Sequence, residues 1–219
     1  MNCFKKYLNF IIITLLLFNC CNGSSVPENP ELSIKESYTY FINALDKSNG
    51  ELASNYVTED IFDFYKKCGT LALNSSSEEL ENKSLLEVIT TLSLRLLGKK
   101  DELEKMSGKD IFIWAIEKGM IKKESINKIK LDTLNELKDK KAYMNVLNMG
   151  KKVPNLFFQF ELISNKWKFN YYPIMQLAEG ALDNIRKNAG KTKIELGIYL
   201  LEKTYGKEIP PSILVGPLK

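Results

Sequence analysis

The stretch KAYMNVLNMGKKVPNLFFQFELISNKWKFNYY, residues 141–172, decides the fold. In its middle Leu156, Phe158, Phe160 and Leu162 fall on one side, while Gln159 and Glu161 fall on the other. A period of two is the mark of a half-buried strand. Trp167, Phe169 and Tyr171 then alternate with Lys166, Lys168 and Asn170. The Ser164-Asn165 link suits a tight hairpin, because Asn tolerates positive φ and Ser bonds nearby backbone. The stretch therefore predicts three consecutive antiparallel strands. Ile129, Leu131 and Thr133 alternate more loosely and place a first strand within 126–134, which makes 126–172 a meander sheet.

Helical spacing dominates on either side of it. Ser33 and Glu36 make a capping box for a helix whose apolar face is Ile34, Tyr38, Phe41, Ile42 and Leu45. Asn49-Gly50 ends it, a short piece restarts over 52–56, and Thr58 opens a third carrying Ile61, Phe62, Phe64, Tyr65 and Leu71. Residues 74–83 are polar and read as a loop; 85–97 reads as a strongly apolar helix. Ser107 caps a further helix that Gly119 stops. After the sheet, Pro173 suits a first helical turn, residues 188–190 stop that helix, and Thr192 opens another that runs through Lys203. The Pro210-Pro211 pair predicts an extended tail over 205–219. The fold class expected is α+β: N-terminal helices (33–122) packed on a curved antiparallel meander sheet, with a helical insertion and two C-terminal helices (173–204), all in one domain over 33–219.

Composition excludes several activities. No histidine occurs among the 219 residues, which removes Ser-His-Asp and Cys-His nucleophilic systems and the commonest metal ligand. No CxxC, P-loop, GxGxxG or GxSxG pattern is present, so no metal or cofactor is expected. The formal net charge is +4, the lysines are scattered, and Arg95 and Arg186 are the two arginines. Such a balance gives no footprint for nucleic acid. The acidic pairs Glu59-Asp60, Glu78-Glu79 and Asp101-Glu102 suit first helical turns, where carboxylates meet the helix dipole.

The N-terminus reads as an export signal. Lys5 and Lys6 precede an apolar run over 10–18 that is too short to span a bilayer, and the run stops at Cys20-Cys21 before a polar, Pro-punctuated stretch. Leu17-Phe18-Asn19-Cys20 resembles the lipobox of bacterial lipoproteins, keeping Leu three residues before the Cys and departing at Phe18 and Asn19. The resemblance implies a signal peptide over 1–19, an acyl chain on Cys20 (Cys21 is the alternative acceptor), a flexible tether over 20–32, and a domain held outside the cytoplasm on a membrane of the cell envelope. Cys21 and Cys68 then remain, as two free thiols or as a pair.

The segment FINALDKSNGELASNYVTEDIFDFYKK, through Phe41, Ala44, Leu45, Gly50, Ala53, Tyr56, Val57 and Thr58, resembles the opening of the nuclear transport factor 2-like (cystatin-like) superfamily, and NKWKFN at 165–170 resembles a strand of its lipoprotein-type members. That likeness implies helices over the concave face of a curved sheet, with room for an apolar pocket between them. Tyr38, Phe41, Phe62, Phe158, Phe160, Trp167 and Phe169 are the candidate lining, with core packing as their ordinary use. No catalytic residue is assigned; Asp132 and Glu161 are the carboxylates a pocket enzyme would draw on. The expected role is a non-catalytic binding or interaction module whose partners are membrane lipid through the acylated Cys, an envelope protein, or an apolar ligand carried in the pocket.

Overall fold

A computed structural model describes residues 26–121, 129–214 and 218. Among them the order is α1 (Pro30–Asp46), α2 (Gly50–Ser54), α3 (Asp60–Asn74), α4 (Ser77–Glu81), α5 (Leu85–Leu97), α6 (Lys100–Leu103), α7 (Gly108–Glu117), β1 (Ile129–Lys138), β2 (Lys141–Asn148), β3 (Lys151–Ile163), β4 (Lys166–Asn170), α8 (Tyr172–Asn188) and α9 (Lys193–Tyr205), with a 3-10 turn at Pro211–Ile213. The fold is α+β, built on a four-stranded antiparallel sheet in the order β1-β2-β3-β4. Each hairpin turns on two residues of positive φ: Asp139-Lys140, Met149-Gly150 and Ser164-Asn165. That repeated left-handed pair matches the right-handed twist of the strands.

The alternation read from residues 156–171 sets the buried face. Ala142 pairs with Phe160, Phe160 with Phe169, Met144 with Phe158, and Leu162 with Trp167, and all of these side chains are buried. α1 lies across that face with Ile34, Tyr38, Phe41 and Leu45 turned inward. Three irregularities bend the sheet. β1 slips register between Leu131 and Leu134 and again between Leu134 and Glu136, and β3 bulges between Lys152 and Phe157. The β3 bulge holds Pro154, which donates no ladder bond, and Asn155 at φ 59°.

The β4 edge is closed by the chain that follows α2. The Phe169 N–H donates to the Tyr56 carbonyl at 2.7 Å, and the Thr58 N–H donates to the Phe169 carbonyl at 3.1 Å, so Val57 forms a parallel bridge with Phe169. Covering an edge in this way removes a template for intermolecular pairing.

A second core stands apart from the sheet. Leu71, Leu80, Val88, Leu92, Leu201, Ile209 and Ile213 pack around α5 and α9. The two helices cross closely at Gly197, where a Cβ would meet Leu92 Cδ1 at 3.1 Å. Carboxylates lock these helices end-on. Glu179 of α8 accepts from the Leu85 and Leu86 N–H groups at 2.6 and 2.8 Å. Glu81 of α4 accepts from those of Lys193 and Ile194 at 3.1 and 3.0 Å. Each satisfies orphan donors and the positive end of a helix dipole at once.

Several local expectations are corrected. The α1 N-cap is Asn29, whose side chain accepts from the Leu32 N–H, with Pro30 in the first turn; Ser33 already lies inside the helix. Helix α1 ends at Asp46, and Asn49 starts α2 rather than stopping α1. Thr58 does not cap α3: the N-cap position is Glu59, without a side-chain bond, and the Thr58 hydroxyl is buried without a partner among the described residues while its N–H donates to β4. Residues 74–83 are not wholly loop: Ser76 and Glu79 form a capping box for α4 around the buried Leu80. The tail turns at Pro211–Ile213 instead of staying extended, and there Ile213 is buried. β1 runs over 129–138 and so extends past the 126–134 expected; its expected first residues, 126–128, lie outside the described residues.

Candidate functional site

The aromatic residues singled out above are brought together in large part by α1 and the β3-β4 hairpin. Phe169 sits at the centre, with ring centroids 5.1 Å from Phe158, 5.2 Å from Phe160, 5.4 Å from Tyr38 and 5.7 Å from Phe41. These are tilted and edge-to-face contacts of the kind that close-packed rings adopt. Trp167 is buried beside them, and the Ser37 hydroxyl of α1 donates to its carbonyl oxygen. Phe62 belongs elsewhere: it is half-buried and meets Phe112 of α7 at 5.5 Å.

One member of the set reaches open space. Tyr38 lines a cavity of about 350 Å³ between α1 and β1. Lys35, Tyr38, Thr39, Ile42 and Asn43 form its helical wall, at the 3–4 residue spacing of one face. Ile129, Lys130 and Leu131 form the other. Consecutive strand residues point to opposite faces, so a wall made of all three runs along the outer edge of β1. Tyr38 as a residue is 7% exposed, and its hydroxyl oxygen is itself buried, with no hydrogen-bond partner among the described residues. Burial pushes that phenol up, so it stays protonated and is a donor.

The candidate carboxylates lie away from the ring cluster. Asp132 of β1 faces Lys152 at 3.5 Å. Glu161 of β3 accepts from Gln159 and Asn170 at 3.0 and 3.2 Å and faces Lys141 at 3.4 Å. Glu161 is committed to these neighbours, whereas the buried Asp132 Oδ2 has no hydrogen-bond partner among the described residues and only the exposed Lys152 ammonium beside it.

Two open grooves meet between α3, the start of α5 and the start of α8, sharing Phe64, Glu87 and Tyr172. Sequence reading passed over Glu87, although its place three residues after Ser84 was a usable capping-box signal. Its residue is 8% exposed, it completes the α5 capping box, and it takes the Lys67 ammonium at 2.5 Å. Burial opposes ionisation of Glu87, and the bonds from Lys67 and Ser84 outweigh it, so the carboxyl lies below its ordinary value. Cys68, next along α3, is a buried free thiol. Burial, with the Glu87 charge adding to it, pushes it up and leaves it unreactive. Among the described residues no group of three or more His, Cys, Asp or Glu is placed to hold a metal ion.

Both arginines are occupied internally. Arg95 is 6% exposed and donates to the carbonyls of Leu71, Ala72, Ser75 and Ile213. It thereby ties the end of α3 to the C-terminal turn, its charge balanced by a helix C-terminus rather than a carboxylate. Arg186 bonds Asp183 at 2.7 Å and the Lys191 carbonyl at 3.0 Å.

No described helix is long and apolar enough to cross a membrane. Cys20 and Cys21 lie outside the described residues. No protein-family model, curated protein or solved structure matches this chain.

Proposed function

We propose that the chain is a bacterial cell-envelope lipoprotein, held to a membrane by an acyl chain on Cys20, whose nuclear transport factor 2-like domain is a non-catalytic binding or interaction module outside the cytoplasm. The observation that carries the module reading is the interior itself. Where such a fold would house its chemistry, Phe169 and its neighbouring rings fill the space; Glu161 is spent on Lys141, Gln159 and Asn170, and Asp132 faces the Lys152 ammonium outside the ring cluster. The family likeness is supported by a contact: its two sequence segments, around Tyr56-Val57-Thr58 and around Phe169, pair directly through backbone hydrogen bonds. The anchor reading rests on the short apolar run that ends at Cys20 and on Asn29 being the α1 N-cap. Nine residues from Cys20 to Asn29 span at most about 30 Å, so the domain would ride close to the bilayer.

Radiolabelled palmitate tests the anchor. The native chain takes up label, Cys20→Ser does not, and Cys21→Ser labels normally. Labelling that persists in Cys20→Ser refutes Cys20 as the acceptor, and labelling that persists when both cysteines are replaced refutes acylation at this pair. A second reading, carriage of an apolar small ligand, is favoured by the α1–β1 cavity, whose walls include Ile42, Ile129 and Leu131.

A further inference from the structure

Two of the three hairpins turn side by side at one end of the sheet. The Leu162 N–H donates to the Lys140 carbonyl at 2.8 Å, which sets the Asp139-Lys140 turn beside the Ser164-Asn165 turn. Residues 137–141 and 163–166 form this end, and all of them are exposed. They carry Lys138, Lys140, Lys141 and Lys166 against one carboxylate, Asp139. Lys141 is shared with Glu161 at 3.4 Å, while Lys138 and Lys166 have no ion-pair partner among the described residues. Leu137 and Ile163, 39% and 36% exposed, flank the turns. Leu137 pairs with the inward-facing Ala142, and Ile163 alternates with the inward-facing Leu162, so one aliphatic side chain stands on each face of the sheet.

The start of α1 lies at this same end. Ser37 bonds the Trp167 carbonyl and Phe41 meets Phe169, so α1 and β4 run the same way. Asn29, eight residues before Ser37, therefore sits about 12 Å back along the helix axis, toward the Ser164-Asn165 turn. Glu31 accepts from the Leu134 N–H at 2.9 Å, four residues short of Lys138. The stretch from Cys20 to Asn29 spans at most about 30 Å, and it leaves the domain at this end of the sheet. The third turn, Met149-Gly150, has a related make-up, with Met149 79% exposed before Lys151 and Lys152. It stands at the other end of the eight-residue β2, about 24 Å away at about 3.4 Å per residue.

We infer that the turns at 137–141 and 163–166 dock end-on against an anionic phospholipid bilayer, the lysines on lipid phosphates and Leu137 and Ile163 among the head groups. Attraction to such a surface is worth roughly fivefold per lysine and fades within a Debye length, so it acts on a patch already held close. The acyl anchor supplies that closeness as a high effective concentration. The inference rests on the anchor reading and adds which end of the domain is turned to the membrane.

The test places the full chain in vesicles of phosphatidylglycerol mixed with brominated phosphatidylcholine and reads tryptophan quenching, with the emission of the native Trp114 and Trp167 subtracted. Ile163→Trp and Leu137→Trp report from the docking end, and Met149→Trp from the opposite one. Quenching at Ile163→Trp and Leu137→Trp is expected to exceed that at Met149→Trp at least threefold. Replacing Lys138, Lys141 and Lys166 together by Gln, or phosphatidylglycerol by phosphatidylcholine, should bring the two ends level. Circular dichroism checks that each variant folds, and two reporters on separate hairpins keep the result independent of either substitution. Equal quenching at both ends, with palmitate uptake and flotation on vesicles intact, overturns the docking and leaves the anchor reading standing. A difference that survives loss of the lysines or of the anionic lipid also overturns it. A native chain that neither takes up palmitate nor floats with vesicles overturns the anchor, and the docking with it.

Discussion

Truncating Phe169 measures whether the helix–sheet interior is packed or hollow. The residue is 1% exposed and touches the rings of Tyr38, Phe41, Phe158, Phe160 and Tyr171 at 5.1–5.7 Å. Removing a buried phenylalanine costs about 3–5 kcal/mol from lost transfer energy plus the cavity left behind. Loss of the favourable ring geometry puts Phe169→Ala in the upper part of that range. Because five rigid rings flank the site and β4 is bonded on both edges, collapse into the void is limited. At 2–4 °C per kcal/mol for a chain of this size, a loss of about 4 kcal/mol lowers Tm by about 8–16 °C. Leu177→Ala on α8, where the leucine is 58% exposed, should stay within about 0.5 kcal/mol. Urea unfolding followed by circular dichroism gives both values, and the slope with urea should match the native one because the backbone pairing survives. A dry, ring-lined void also takes up benzene, so saturating benzene should return part of the lost Tm in Phe169→Ala alone. A cost below about 1.5 kcal/mol, or no difference from Leu177→Ala, would refute a close-packed interior and return the ring set to the role of pocket lining.

Two other perturbations probe the helical half. Arg95→Met strips the donor from four carbonyls at the end of α3 and the C-terminal turn. Unsatisfied buried acceptors cost about 1–3 kcal/mol each, so a loss of at least about 3 kcal/mol is expected in urea. Arg95→Lys should recover less than half of it, since an ammonium is a point donor without the guanidinium fork; full recovery would show that charge alone matters. For the Lys67–Glu87 pair, the folded carboxyl lies below its ordinary value and the folded ammonium above its own. The carboxyl contribution is therefore complete above the unfolded Glu value and lost as pH falls through the folded one. The ammonium contribution is complete below the unfolded Lys value and lost as pH rises through the folded one. Lys67→Met should flatten the fall in the urea midpoint between pH 7 and pH 3, and an equally steep fall in the variant would assign that loss to other carboxylates.

Periodicity determined the sheet because a strand's two faces are read directly from alternate residues. Phe158, Phe160, Trp167 and Phe169 could hardly face water together, and Ser164-Asn165 was suited to the left-handed turn that joins their strands. The same holds for helices whose caps are local. Ser107 with Asp110 and Thr192 with Glu195 fall where the residue types put them, because those bonds join groups three residues apart. Local caps were also misplaced, at Asn29 and Asn49, and two further misreadings lie where distant groups meet. Thr58 gives its N–H to β4 instead of opening α3, and α4 forms in a polar stretch because Leu80 has a second core to enter and Glu81 has the start of α9 to cap. The candidate site divides along the same line. That the aromatics would be buried was legible in the alternation; that Phe169 would fill the interior while Tyr38 kept a buried, unpartnered hydroxyl was settled only when α1 crossed the sheet. A hydrogen bond three residues long is written in the chain, whereas a void or an orphaned donor belongs to surfaces that meet from more than a hundred residues apart.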